Sequence, residues 1–514
     1  MSYEFGGVHS VDTVPDPTPQ SFSLDPYAGY TFRGKPILDL NGVISHISTG
    51  QPIHASNGVI TYTFLDLSHL TGLYNNKHLP GLNSNYYGLS AFSPEQEAAA
   101  RAAIQLWDDL IPQTFKEVSG TGADIVYANS DAPAQAHAYL PGTKGWKYQS
   151  DVFTHNPETN WSNNWFTFGG YGNSTLIHET GHALGLSHPG AYNFDPNVTQ
   201  DYVGLAEYAQ DSRQYTVMSY WDASETGATV VNWNEFLFET PQTPMLHDIL
   251  AIQSLYGADP TTRATDTTYG FHSNAGNAVY DFNQNPYPML SVYDAGGNDT
   301  IDLSGFTAGQ FLDLHAGSFS SIGQGAPTEA AVNAALAHLT DISGLDFGSI
   351  TQSSIDFFVD LYEGFNADSI AQDTGVIDIQ ASEYSNFSIA YGVTIENAIG
   401  GSARDLLWGN DVANTLNGMG GDDVIKGFGG NDTLIGGDGA DTFVFAHDGS
   451  TDTIGDFQTG IDKIDLSEVT GVTAADVSYN ATAHQVQIDT NHDGTYDMFI
   501  NVAGSVAPGD YIFS

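Results

Sequence analysis

Apolar and polar positions partly alternate through GVITYTFLD, Gly58 to Asp66, a β-branched and aromatic run that predicts a strand. Further on the period changes. Ser93-Pro94-Glu95-Gln96 has the form of a capping box with proline at the first helical position. It opens a helix through EAAARAAIQLWDDLI that places Ile104, Trp107 and Ile111 on the core face. ADIVYA (123–128) and AHAYLPG (136–142) predict two more strands. A second helix starts near Asn173, and a third runs from about Thr243 through MLHDILAIQSLYG to Gly257 and Pro260. Alternation of this kind predicts a mixed α and β domain over 21–257. Residues 1–20 are polar and proline-bearing, a lead segment that is either a frayed terminus or a removable pro-peptide.

Past Tyr256 helical periodicity largely stops, and Gly, Asp, Asn and Thr punctuate short β-branched runs, which puts a domain boundary near 257. A nine-residue period then occupies 400–444, its units starting at Gly400, Gly409, Gly418, Gly427 and Gly436. The sixth position carries Asp405, Asn414, Asp423, Asp432 and Asp441, and the eighth Leu407, Leu416, Ile425, Leu434 and Phe443. A flexible linker has no reason to keep an apolar residue at one phase five times. The pattern predicts an all-β parallel β-roll over 258–514, each unit burying one apolar side chain by stacking. Its turns bring carboxylates together, which repel unless a cation sits among them, so calcium is expected there. The first two units depart from the pattern at Ala403, Val412 and Ala413, so the ligands are placed at Gly418, Gly420, Asp423, Gly427, Gly429, Asp432, Gly436, Asp438 and Asp441. Asp489-Thr-Asn491-His-Asp493-Gly494 copies half of an EF-hand loop, but Ile500 stands where the bidentate Glu belongs. A hairpin turn is the better reading there, a weak calcium site the alternative.

Charge sharpens this picture. Lys and Arg total 12 against 61 Asp and Glu, a formal charge of −49, while 41% of residues are apolar, too many for a disordered acidic tail. So few basic residues over 514 positions exclude nucleic acid and anionic membrane as main partners. Cysteine is absent, which removes disulfides and thiolate chemistry. The N-terminus has neither a basic nor an apolar signal region, and no run approaches 18 apolar residues, so no Sec signal and no membrane insertion are expected.

The chemistry concentrates in His178-Glu-Thr-Gly-His182-Ala-Leu-Gly-Leu-Ser-His188. Histidines four apart on a helix project from one face and can share one metal. Gly185 lets the chain leave the helix so that His188 arrives as a third ligand, and Pro189 keeps the helix from resuming. Three imidazoles and a water make an open, catalytic zinc site, with Glu179 beside it to take a proton. A lone histidine on a helix is usually structural. Here all five specified positions of a known motif are held within eleven residues.

With Tyr215-Thr-Val-Met218-Ser-Tyr220 downstream, the sequence resembles the metzincin zinc proteases, and among them the serralysin family of secreted, calcium-dependent endopeptidases. The segments FSPEQEAAARAAI, RQYTVMSYW, LHDILAIQSLYGAD, DAGGNDTIDLSG and GVTIENAIGG are similar to family segments in family order, over roughly 60–320 and 385–514. The resemblance implies an α+β protease domain and broad cleavage of protein substrates. It implies a Met-turn at Met218, and Tyr220 as both a zinc ligand and a catalytic group. It implies further calcium ligands at Arg263, Thr265, Thr267, Asp294, Gly296, Gly297, Asp299, Thr394 and Glu396, with Thr265 standing where the family usually has glycine. Substrate is expected along an edge strand at Ala136, Ala138 and Tyr139. Other implied partners are a small proteinaceous inhibitor and a type I secretion apparatus, the latter recognising a tail in which Ser514 follows the usual apolar end; the protein is expected to be a monomer. Residues 323–385 form an insertion relative to the family, and EAAVNAALAHLT and SSIDFFVDLYEGF within it are spaced for two amphipathic helices. Two competing readings are a calcium-dependent adhesion protein with an inactive peptidase half and a zinc hydrolase of small substrates. The complete set of zinc and base residues favours the peptidase over both.

Overall fold

The structure, a computed structural model, describes residues 23–53, 55–68, 88–120, 122–131, 134–142, 150–193 and 199–514. The lead segment 1–20 lies outside the described residues. In the N-terminal half the strands are β1 Thr31–Phe32, β2 Lys35–Pro36, β3 Val59–Phe64, β4 Thr114–Glu117, β5 Ile125–Ser130, β6 Ala136–Ala138 and β7 Val152–His155. The helices, numbered through the whole chain, are α1 Leu40–Ile47, α2 Pro94–Asp108, α3 Tyr171–Leu184, α4 Tyr202–Leu205, α5 Leu246–Tyr256, α6 Glu329–Ser343 and α7 Gln352–Thr374. Among the described residues no helix is long and apolar enough to cross a membrane.

Five strands make a sheet in the order β4-β3-β5-β7-β6, all parallel except β6, which lies antiparallel to β7 at the edge. β6 takes only the first three residues of AHAYLPG, with Tyr139 N still donating to Asp151 O at 3.1 Å just beyond it. The capping box of α2 is present: Ser93 Oγ accepts from Gln96 N at 3.2 Å and Gln96 Oε1 from Ser93 N at 3.0 Å. Ile104, Trp107 and Ile111 are all buried, and the Trp107 indole N–H donates to Ile177 O of α3 at 3.1 Å, locking the two helices together. α5 starts three residues later than the sequence suggested, since Pro244 holds Thr243 out of the helical region.

In the C-terminal half most strands are short and parallel. In one sheet Leu407, Ile425 and Phe443 stand in register, and in another Ala398, Leu416 and Leu434. Successive nine-residue units therefore alternate between two sheets, and every second unit pairs, eighteen residues apart. All five eighth-position side chains are fully buried. The two amphipathic helices expected within 323–385 are α6 and α7, and their first turns are tied reciprocally: Glu329 N donates to Gln352 Oε1 at 2.6 Å and Gln352 N to Glu329 Oε2 at 2.8 Å. Asp489–Gly494 turns between strands Gln485–Ile488 and Met498–Val502, with Asp489 accepting from the amides of Asp493 and Gly494.

The two halves are sewn together. Val231 N donates to Glu383 Oε2 at 2.7 Å, Thr229 bridges to Tyr384, and Gln242 Nε2 donates to Tyr287 O at 3.0 Å. Asp25, near the start of the described chain, receives Gln210 Nε2 at 2.9 Å, contacts His247 Nε2 on α5 at 3.0 Å, and accepts from the Tyr391 hydroxyl of the C-terminal half.

Candidate metal centre

α3 carries two of the three histidines. Gly181, between them on the helix, leaves room for a methionine, since a Cβ there would meet Met218 Sδ at 2.7 Å and Trp107 at 3.0 Å. The helix ends at Gly185 in the left-handed region, φ 107°, with Leu186 N donating to Gly181 O at 2.9 Å. The turn carries His188 back over α3. His188 Nε2 lies 3.2 Å from His178 Nε2 and 3.1 Å from His182 Nε2. A tetrahedral ion with nitrogen ligands at about 2.0–2.1 Å holds them about 3.3–3.4 Å apart. The fit is close.

Each ring is oriented from behind. The Nδ1 of His178, His182 and His188 lies 2.7, 2.8 and 2.9 Å from the carbonyl oxygens of Val217, Leu186 and Tyr192. Carbonyls accept only, so each Nδ1 carries the proton and each Nε2 turns a lone pair inward. Burial keeps the rings neutral, pushing His182 down to about 3 and His188 to about 4. Among the described residues this is the only group that brings three His or carboxylate ligand atoms within 4.8 Å of one another. Glu179 is buried and its Oε2 has no hydrogen-bond partner; burial pushes its pKa up to about 8. A buried, unpartnered carboxylate beside three converging lone pairs suits a cation. The Tyr220 ring centroid lies 4.5 Å from that of His188 and 6.1 Å from that of His178.

Two carboxylates that the sequence reading missed hold this arrangement. Asp248 of α5, fully buried, accepts from Thr216 Oγ1 at 2.5 Å, Val217 N at 2.6 Å and Met245 N at 2.8 Å. It thereby fixes both Met218's turn and the carbonyl that orients His178. Asp211 accepts from Tyr192 OH at 2.8 Å, Ser219 Oγ at 2.7 Å and Trp221 Nε1 at 3.1 Å, clamping the residues around Tyr220 and the carbonyl that orients His188. The acidic third residue of a helix, as in LHDIL, was the available signal for Asp248; nothing local marks Asp211.

The acidic positions of the C-terminal half form a ladder. Asp405 N donates to Asp423 Oδ1 at 2.8 Å, Asn414 N to Asp432 Oδ1 at 2.8 Å and Asp423 N to Asp441 Oδ1 at 3.0 Å. The second oxygens of Asp423, Asp432 and Asp441 are buried without partners. Each stands against a glycine: a Cβ at Gly418, Gly427 or Gly436 would lie 2.2, 2.0 or 2.1 Å from the matching Oδ2. Burial, then the neighbouring carboxylates, raises Asp423 and Asp432 to about 7 and Asp441 to about 6. Gly420 and Asp438 form a bridge across adjacent turns, while Gly429 packs by Asp411.

Nearer the junction, Asp299 Oδ1 accepts from Thr267 N at 2.7 Å, its Oδ2 is unpartnered, and its own amide donates to Glu396 Oε2 at 2.8 Å. Thr267 Oγ1 donates to Thr265 O, Asp294 Oδ1 accepts from Gly296 N, and a Cβ at Gly297 would lie 2.7 Å from Asp299 Oδ1. Arg263, with φ 48°, spends its guanidinium on Asp109 and Tyr293 O, leaving only its backbone carbonyl for a cation. Thr394 is exposed two residues before Glu396. Ala136, Ala138 and Tyr139 lie on and just after the edge strand β6.

Residues 258–377 and 372–513 match the model of the peptidase M10 serralysin C-terminal family. The chain is similar to the metallopeptidase AprA of Pseudomonas marginalis, 35% identical over 516 residues, covering 94% of this chain and 92% of the relative. It is also similar to the serralysin of Proteus mirabilis, 35% identical over 86% of this chain and 82% of that one. The metalloprotease AprA of Pseudomonas entomophila is 38% identical over 87% and 78%. With this identity running nearly end to end and a triad of inward-turned imidazoles on the helix, the chain belongs to the serralysin family of metallopeptidases.

Proposed function

We propose that the chain is a secreted endopeptidase in which zinc, held by the Nε2 atoms of His178, His182 and His188, serves peptide hydrolysis with Glu179 as the general base. The observation that carries this reading is the convergence of three unprotonated Nε2 atoms beside a buried, unpartnered carboxylate. Bound zinc supplies a Lewis acid that acidifies a water and polarises the scissile carbonyl. Glu179 takes the proton of the attacking water and passes it to the leaving amine. Tyr220, whose ring lies against His188 and near His178, would donate a hydrogen bond to the carbonyl oxygen as negative charge develops there. Met218 supports α3 from below. The test is proteolysis of casein by the whole protein before and after zinc chelation, with activity restored by added zinc; activity indifferent to the chelator overturns the reading.

Two predictions follow for residues around the triad. Tyr220→Phe should lower kcat by about 10²-fold, the cost of one missing oxyanion donor, with KM within about twofold. A rise in KM alone, in steady-state kinetics on a fluorogenic peptide, would assign Tyr220 to binding instead. Asp248→Ala strands three buried donors, so it should destabilise the N-terminal half by about 3 kcal/mol and lower zinc affinity by roughly ten- to hundred-fold. Thermal unfolding and competitive zinc titration read these; an unchanged affinity would sever Asp248 from the centre.

Substrate is expected to lie extended on β6, adding a strand by main-chain hydrogen bonds past Ala136, Ala138 and Tyr139, which leaves specificity broad. The C-terminal half is read as a parallel β-roll, supported by strand pairing at eighteen residues and by the inward apolar ladder. Calcium is assigned to its turns, between one carboxylate from each and the nearby glycine carbonyls, and to the group around Asp294, Asp299 and Glu396; the unpartnered oxygens of Asp299, Asp423, Asp432 and Asp441 support this. Such weak, extracellular-class sites suit a chain that closes only outside the cell, after export by a type I apparatus.

A further inference from the structure

The insertion packs beside the start of α3, and what it touches leads to β6. Val332, Leu336 and Leu339 of α6 and Ile355 and Val359 of α7 form one buried cluster with Trp165, Val231 and Trp233, with Trp161 packed against it. The half-buried Phe347, in the link between α6 and α7, meets the Trp161 ring edge-on at 6.3 Å, and Trp161 lies against Trp165 at 5.9 Å. Those two tryptophans bracket a single 3-10 turn, Trp161–Asn164, and the turn presents Asn163.

Asn163 is 2% exposed and fully used. Its Nδ2 donates to Gln135 O at 3.1 Å and His155 O at 2.9 Å, and its Oδ1 accepts from Gln135 Nε2 at 2.7 Å. One amide thus holds the residue preceding β6 and the last residue of β7. The same Gln135 Nε2 is 3.3 Å from Thr175 Oγ1, on α3 one turn before His178. His155 N closes the set on Gln135 O at 2.7 Å. An edge strand of three residues has few ladder bonds of its own to fix its place beside α3, since it pairs on one side only. A short strand on one neighbour opens easily unless something outside the sheet holds it.

We propose that helices α6 and α7 together form a brace which, through Trp161, Trp165 and the positioning residue Asn163, holds β6 against the histidine-bearing helix. Its value for catalysis rests on the reading that substrate pairs with β6. A peptide bound there is then presented to the centre at a height set by residues 329–374, far from the metal in sequence.

The test uses the full-length, zinc- and calcium-loaded protein with Asn163→Ala and Phe347→Ala, the second a mild change outside the sheet, and Phe347→Leu as the conservative partner. Hydrogen exchange by mass spectrometry follows the peptides covering 135–139 and 150–155, and kinetics follow a decapeptide substrate. Both alanine variants should speed exchange there by about tenfold or more, with α3 and zinc content unchanged and Phe347→Leu close to wild type. KM should rise by about five- to tenfold with kcat within about twofold. Unchanged exchange in both variants overturns the brace, and so does acceleration by Asn163→Ala without Phe347→Ala, which would confine the effect to the sheet. Accelerated exchange with KM unmoved upholds the brace and removes the substrate from β6, so the two ideas fail separately.

Discussion

Glu179→Gln should bind zinc at full stoichiometry and lose about 10³-fold or more in kcat. The amide has the shape of the carboxyl and cannot take a proton from water. Glu179 Oε2 has no partner in the structure, so the substitution breaks no hydrogen bond at that oxygen. The amide is neutral and close to the carboxyl in size, so thermal stability should stay near that of the wild type. That combination separates chemistry from folding. Equilibrium dialysis for zinc, a melting curve and turnover on one peptide complete the measurement. Hydrolysis near the wild-type rate with zinc in place would remove Glu179 from the reaction.

Calcium removal should have the other large effect: loss of most of the strand signal of the C-terminal half in far-UV circular dichroism. Asp423, Asp432 and Asp441 each use one oxygen on the ladder and leave the second buried without a partner. Without a cation each must take up a proton or stay an uncompensated buried charge, which costs several kcal/mol, and three such groups recur within 19 residues of sequence. One unit of the same ladder shows the neutral solution. Asn414 turns its Nδ2 to Glu396 O and to Asn410 Oδ1, both at 3.1 Å, and needs no cation. A triple Asp→Asn variant at 423, 432 and 441 should therefore keep more of its strand signal in chelator than the wild type does. A wild-type spectrum indifferent to chelation would end the calcium assignment.

The histidine spacing was legible because the chemistry is local: an i, i+4 pair and a glycine exit fit within eleven residues. The nine-residue phase was legible for a related reason, since stacking repeats one environment. Asp248 and Asp211 were not, because each acts on groups remote in sequence or folded over it, and a buried acidic residue looks like a surface one until its partners converge. The same limit applied to α6 and α7. Both helices could be read from their apolar spacing, but not that their buried faces would close on Trp161 and Trp165. Nor was the end of β6 legible: it stops after Ala138, although the apolar run continues to Leu140.

Asp25 reaches α5 through His247 and the far half through Tyr391, and the 229–242 segment is bonded to residues 287 and 383–384. A polypeptide truncated at 257 would consequently expose the torn faces of Trp233 and Met289's neighbours, and would strip Asp25 of one of its donors. Fragments expressed separately are best treated as binding partners, whose individual melting points say little about the intact molecule.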